Sequence, residues 1–433
     1  MKRRMLSIVL ALVLTVGLLA GCSGKPEDAS NGGSDGKVEI KYWAHQNEGW
    51  NKSHNDLAKR FSDANSDITV LTEFFPYDDY ESKVQTSLMA KSGGADIYEL
   101  WGGWGVDFSH TGALAKVPDS IVAEFATDYF APTYGSFEYD GAYYGVPLEF
   151  NIEAGGLLVH KRFFDEKNLK YPTTWEEMLD IAEKTSIRDG EIMEMRGFDF
   201  VTWDNVTYTW LSMTMSKGAS YFDADGKLNF TTPEAIDAMT QLVSYVVDKG
   251  YTNLEALTGG GGGEGHYFLY EDQAMMVARG PWVISEGIEL YELEQGVDFD
   301  YIAMPWYGSE KVFPAETGWG LAVAESSNAK DAAWKFIEFM TEPENLVGHL
   351  EICGMLPPRQ SIIDNTDYKE RMPHVLPLLD ILENGKYIGH FNTDVLKEAV
   401  NNKFVEMCTT DISVEDALAK LEEDMNNQLF PNN

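Results

Sequence analysis

Hydrophobic and charged residues alternate from Lys37 to Trp43. Val38, Ile40 and Tyr42 fall on one face, with Lys37, Glu39 and Lys41 on the other, which predicts a β-strand. Trp50, Leu57, Ala58 and Phe61 then follow helical spacing to about Asn65. Ile68, Val70 and Phe74 alternate again, and a second helix through Val84, Leu88 and Met89 stops at Gly93-Gly94. Asp96-Ile97-Tyr98-Glu99-Leu100 reads as a third strand. Strands alternating with helices imply a parallel sheet with helices on its faces, and ligands of such sheets sit beyond the carboxyl ends of the strands. Those ends lead here into His45-Gln46-Asn47-Glu48-Gly49-Trp50 and Trp101-Gly102-Gly103-Trp104-Gly105.

Helix starts recur further on. Thr173-x-x-Glu176 reads as a capping box before Trp175, Met178 and Ala182. Thr232-Pro233 places an N-cap and a first-turn proline ahead of Ile236, Met239, Leu242 and Val246. Ser413-x-x-Asp416 opens a last helix through Leu418, Leu421 and Met425.

The first residues differ from all of this. Lys2, Arg3 and Arg4 precede an apolar run from Met5 to Ala20, shorter than a membrane-spanning helix needs and ending in small residues. Leu19-Ala20-Gly21-Cys22 looks like a bacterial lipobox, so residues 1–21 are expected to be a lipoprotein signal peptide and Cys22 the lipidated residue. Residues 22–36 hold no large apolar residue beyond that Cys and read as a flexible tether with a reach on the order of 20 Å. The expected location is the outer face of the bacterial cytoplasmic membrane, held by the lipid.

About 400 residues remain, enough for two cores. The chain carries 33 basic and 70 acidic residues, a formal net charge of −37. That balance repels nucleic acid and anionic lipid, so neither is expected as a partner. Beyond Cys22 there are Cys353 and Cys408, able to pair outside the cell but read as two buried free thiols. The His residues show no metal-ligand spacing, and no Gly-x-Ser-x-Gly elbow is present. Gly259 to Gly263 lacks the Lys-Ser/Thr of a phosphate loop and reads as a mobile lobe loop. No cofactor or metal is expected.

From Val38 onward the chain resembles the extracellular solute-binding proteins of family 1, which include the maltodextrin-binding proteins. Tyr42-Trp43-Ala44, Ala95 to Leu100 with its Trp-Gly pair, and Gly112-Ala113-Leu114 carry part of the likeness. Gly141-Ala142-Tyr143-Tyr144-Gly145-Val146-Pro147, Gly156 to Lys161 and Thr174-Trp175-Glu176-Glu177 carry more. Gln273 to Met276, Gly280-Pro281-Trp282 and Gly318 to Val323 complete it. The resemblance implies an α/β, two-lobed periplasmic-binding-protein-like fold with three interlobe crossings, a ligand cleft between lobes and no covalent chemistry. The crossings are expected near residues 149–153, 275–278 and 326–329. The first lobe would then comprise 37–150 plus 276–325, and the second 151–275 plus 326–433.

A sugar presents apolar C–H faces and a rim of hydroxyls, so its site needs flat aromatic rings and side chains that donate and accept. Trp101 and Trp104, flanked by glycines, are read as a loop of aromatic platforms, a role the resemblance also implies; Trp50, Trp203 and Trp319 join them. Gln46, Asn47 and Glu48 at the first strand's mouth, and Asn151 and Glu153 at the first crossing, supply polar contacts; the resemblance matches Glu153 to a ligand-contacting carboxylate. Arg279 offers a rigid fork of donors, or else a structural ion pair. Trp210 and Trp334 are read as core, and Trp282 equally as packing or contact. The expected function is that of a monomeric substrate-binding lipoprotein, not an enzyme. It would bind a carbohydrate, an oligosaccharide by preference, and hand it to the permease subunits of an ABC importer. A secreted glycoside hydrolase and a sugar sensor feeding a membrane receptor are the alternatives.

Overall fold

The computed structural model describes residues 37–190, 192–259 and 264–429. The leader, Cys22, the tether and Gly260 to Gly263 lie outside the described residues. Among the described residues no helix is long and apolar enough to cross a membrane.

The opening pattern becomes β1 (Val38–His45), α1 (Glu48–Ala64), β2 (Ile68–Phe75), α2 (Tyr77–Ala90) and β3 (Ile97–Trp101), which runs directly into α3 (Gly102–Ser109). β3 is buried at every residue, as a central strand covered on both faces must be. α1 buries Trp50, Ser53, His54, Leu57, Ala58 and Phe61, a stripe at three- and four-residue spacing. β4 (Val146–Pro147) is followed by β5 (Phe150–Asn151), and β6 (Gly156–Val159) opens the second lobe. That lobe continues through α4 (Trp175–Thr185), α5 (Asn205–Ser216), α6 (Pro233–Val247), β7 (Met276–Ala278), α7 (Val283–Glu289) and β8 (Asp300–Ala303). The chain returns through β9 (Phe313–Thr317) to β10 (Trp319–Val323), α8 (Lys330–Thr341) and α9 (Pro343–Cys353), and ends in α10 (Asp394–Thr409) and α11 (Val414–Leu429).

Two sheets result. The first has the order β2-β1-β3-β10-β4, with β1, β2 and β3 parallel and β10 antiparallel to β3. The second has β6 at its centre, antiparallel to both β7 and β8. This pairing corrects the expected lobe boundaries. Residues 276–303 build the second lobe's sheet, because the apolar Leu157-Leu158-Val159 run needs a strand on each edge. Residues 330–353 stay with the first lobe, where α8 and α9 pack on α1. Only α10 and α11 at the C-terminus pack on α5 and α6 of the second.

Three crossings are present, but two lie elsewhere than expected. The first is at 149–153, as anticipated. The second is β9, whose Glu316 and Thr317 pair with Asn151 and Phe150 beside the first. The third falls between Arg371, tied to Glu351 of α9, and residues 376–379, which pack on β8. Leu356 bridges Phe150 from the other side, so the hinge is a narrow ribbon of short strands.

Local starts follow the sequence with one shift. The capping box before α4 uses Thr174 and Glu177, one residue later than read, while Glu177 also accepts from Thr173. Thr232 caps α6 through Ala235 N, and Ser413 bonds Asp416. Cys353 and Cys408 are free, the first buried and the second partly so.

Candidate functional site

Strand direction sets the site. β1 and β3 end at His45 and Trp101, and because β10 runs the other way, its first residue, Trp319, pairs with Trp101. Three aromatic groups therefore gather at one end of the first sheet. The Trp319 ring stacks on His45 at 4.0 Å and 15°, with Trp104, Trp50 and Tyr77 meeting it edge-on at 5.4, 6.0 and 6.2 Å. His45 is held in turn by Glu99, 2.8 Å from its Nδ1.

Trp101 and Trp104 are not on an open loop. Trp101 ends β3 and Trp104 lies in the first turn of α3, 5 % and 1 % exposed. Their glycines serve close packing instead. A Cβ on Gly102 would stand 2.1 Å from Thr317 O, and one on Gly103 would strike the Trp101 ring at 1.8 Å.

The opposite lobe covers both rings. Lys397 of α10 places its ammonium 3.8 Å from the Trp101 ring centroid, and Trp104 Nε1 donates to Asp394 Oδ2 at 3.4 Å. Lys397 also bonds Asp204 Oδ1 at 2.7 Å. Asp204 faces Arg279 as well, and these two cations outweigh burial and hold its carboxyl below the usual range. The two terminal nitrogens of Arg279 are taken up by its own lobe: Asn205 at 2.9 Å, Thr202 and Asp204 at 3.2 Å, and Glu264. The ion-pair reading of Arg279 is thus the one its contacts match.

Glu316 on the second crossing joins the lobes. It accepts from Asn151 Nδ2 at 2.5 Å, Asn392 Nδ2 at 3.1 Å, Trp101 Nε1 at 3.3 Å, and the Tyr208 hydroxyl. Burial pushes its carboxyl up to about 7 against the pull of Lys397. Glu149 accepts the Trp319 N–H at 2.8 Å, and Glu153 accepts Trp282 Nε1 at 2.5 Å. Burial raises both carboxyls, Glu149 well above the ordinary value. Glu149 Oε2, Asn151 Oδ1 and Glu153 Oε2 are buried without a hydrogen-bond partner.

Other expected contacts go elsewhere. Asn47 caps α1, accepting from Gly49 N at 3.1 Å and Trp50 N at 3.5 Å. Gln46 and Glu48 are exposed beside it. Trp50 is buried, edge-on to His45 and His349. Trp203 is 41 % exposed in the turn before α5, beside a hollow of about 310 Å³ shared with Leu257, Glu264 and Asn401. Trp210 and Trp334 are buried, as read.

Sequence reading missed Lys397, Asp204, Tyr208, Glu316 and Asn392. One signal was available: Leu396, Lys397, Val400, Asn401 and Phe404 form the buried stripe of α10, so a lysine and an asparagine occupy positions the helical period reserves for apolar groups.

Two lobes on a three-stranded hinge, facing aromatic rings and buried carboxylates, is a binding architecture, and residues 56–374 match the bacterial extracellular solute-binding protein family. The chain belongs to that family. Among relatives of this solute-binding protein is the maltotriose-binding protein of Pyrococcus abyssi, 22% identical over 77% of this chain and 69% of its own. Solved structures share the fold. The ABC substrate-binding protein of Listeria monocytogenes in complex with cycloalternan has a TM-score of 0.72 at 22% identity, covering 91% of this chain and 99% of that one. The ABC transporter solute-binding protein of Thermotoga lettingae TMO, bound with α-D-tagatose, has a TM-score of 0.76 at 19% identity, covering 91% and 100%. The family and these neighbours are binding proteins.

Proposed function

We propose that this solute-binding protein takes up a saccharide between its lobes, closes over it and delivers it to the permease of an ABC importer. In this reading it is anchored outside the cell through lipidated Cys22 and acts as a monomer. The observation that carries the proposal is the pairing of ring faces with unpartnered acceptors: Trp319 in its aromatic frame, with Glu149 bonded to its backbone N–H and Asn151 and Glu153 further along the crossing. A pyranose matches both, since its C–H faces pack on rings and its hydroxyls donate to carboxylate and amide oxygens. The relatives' ligands, maltotriose, cycloalternan and tagatose, are of the same class.

Closure would occur about the three crossings, with Lys397 swinging against Trp101 and Asp394 against Trp104. The test is a thermal-shift and calorimetric screen against mono- and oligosaccharides, because a ligand bound by the folded form alone raises its stability. Saturable binding of a saccharide supports the reading. New reducing ends after incubation would favour the hydrolase alternative, and no stabilisation by any sugar in the panel would remove the proposal.

A further inference from the structure

The buried charges of the cleft do not balance. Four carboxylates, Glu149, Glu153, Asp204 and Glu316, are packed between the lobes, the three glutamates 1–4 % exposed. Two cations stand near them: Arg279 and Lys397 draw on Glu153, and Lys397 on Glu316, but both are already ion-paired. Arg279 is shared by Asp204 and Glu264; Lys397 is held by Asp204 and the Trp101 face. None of the three glutamates has an ion-pair contact among the described residues. Glu316 is fully bonded by neutral donors, so its needs are met. Glu149 and Glu153 differ: each keeps one oxygen buried and unbonded, and Asn151 adds a third acceptor beside Glu153. Their backbone surroundings are glycine. A Cβ on Gly318 would lie 2.3 Å from Glu149 Oε1, and one on Gly280 would lie 2.3 Å from Glu153 Oε1.

We propose that the saccharide this cleft selects carries a free, protonated amine. The inference rests on the saccharide reading above and narrows it. An ionised carboxylate removed from water without a counter-charge costs several kcal/mol, so the closed cleft must either protonate its glutamates or receive a cation with the ligand. A neutral sugar supplies donors but no charge. An ammonium on a sugar ring supplies both, with three N–H donors for acceptors that have none. The rings around Trp319 suit the same ligand, since aromatic faces attract cations as well as C–H faces. The long-range field agrees: a chain of net charge −37 draws in a cation and repels uronates and sugar phosphates.

The experiment titrates the purified protein calorimetrically at neutral pH and moderate salt with four probes. They are the β-1,4-linked glucosamine trimer, its fully N-acetylated counterpart, maltotriose, and spermidine as a non-saccharide cation. The expected result is binding of the amine trimer at least about tenfold tighter than either neutral trimer, the scale of one charge-assisted hydrogen bond, with spermidine weaker than all three. Glu149→Gln and Glu153→Gln, which keep shape and lose charge, should each weaken the amine trimer more than either neutral trimer, so that the ratio between them falls. A neutral trimer binding as tightly as the amine trimer overturns the inference and leaves the saccharide reading standing. Spermidine matching the amine trimer overturns it too, since charge alone would then account for the preference. Binding of no trimer overturns the inference, and the saccharide reading then stands or falls on the wider panel. The wild-type comparison decides even if a glutamine variant does not fold.

Discussion

Lys397 and Trp101 form a contact that exists only while the lobes are together. The ammonium and its ion-pair partner Asp204 both belong to the second lobe, whereas the ring belongs to the first. Opening the hinge therefore keeps the ion pair and loses the cation–ring contact. At 3.8 Å from the centroid, with Lys397 only 3 % exposed, the contact belongs to the desolvated end of its class, about 2 kcal/mol. If ligand binding and closure are one step, losing it raises Kd by roughly 30-fold. Lys397→Met keeps the aliphatic stem, Trp101→Leu keeps an apolar group, and the double variant closes a cycle that isolates the pair. The assay is calorimetry with the tightest saccharide of the screen, alongside thermal melts. Lys397→Met should also lower Tm, because Asp204 then keeps Arg279 alone, and that loss should not depend on residue 101. A coupling below about 0.5 kcal/mol in affinity, the range of independent sites, would refute the argument.

Glu316 gives a pH prediction. Its folded-state value of about 7 lies above that of an unfolded glutamate, so between the two the folded form holds a proton the unfolded chain has released. Its contribution is fully present below the unfolded value and is lost as pH rises through 7; Glu316→Gln should thus gain stability relative to wild type over that window, by up to on the order of 3 kcal/mol. Denaturant melts from pH 4 to 8 measure it, and a flat difference would contradict it. Trp203→Ala should leave both Tm and saccharide affinity unchanged, because its hollow is lined by residues apart from the Trp319 frame, whereas Trp334→Ala should cost about 3–5 kcal/mol of stability and leave the folded fraction's affinity intact. Cys22→Ala should release the protein from membranes without altering its binding in solution, and unmodified Cys22 at the mature terminus of cell-derived protein would end the anchoring proposal.

The sequence was most informative where period and burial coincide. Val38 to Tyr42 and Trp50 to Phe61 became β1 and α1 because each has a single apolar face, and a one-residue slip would turn that face to water. The first crossing was legible from the Tyr-Gly-Val-Pro strand before it. The other crossings were not, since whether Met276–Ala278 joins one sheet or the other depends on which edge of β6 is unpaired, and composition carries no trace of that. The glycines around Trp104 misled for a physical reason: the residue that permits a flexible loop also permits a helix to begin against a neighbouring carbonyl, as Gly102 does at Thr317. Asn47 was read for its polar group alone, yet a strand-to-helix junction needs a cap before it needs a ligand. Lys397 and Glu316, far apart in sequence, meet only because α10 returns to the hinge.

The central claim is that a saccharide lies between the lobes, against Trp319 and the Glu149–Asn151–Glu153 edge. A crystal structure with the tightest-binding saccharide tests it most directly. The account predicts density for a sugar ring packed on an indole face of that frame, with at least one hydroxyl or amine within hydrogen-bond distance of Glu149 Oε2 or Glu153 Oε2. A saturating sugar found on the outer surface of either lobe, with the interlobe residues unchanged, would contradict it.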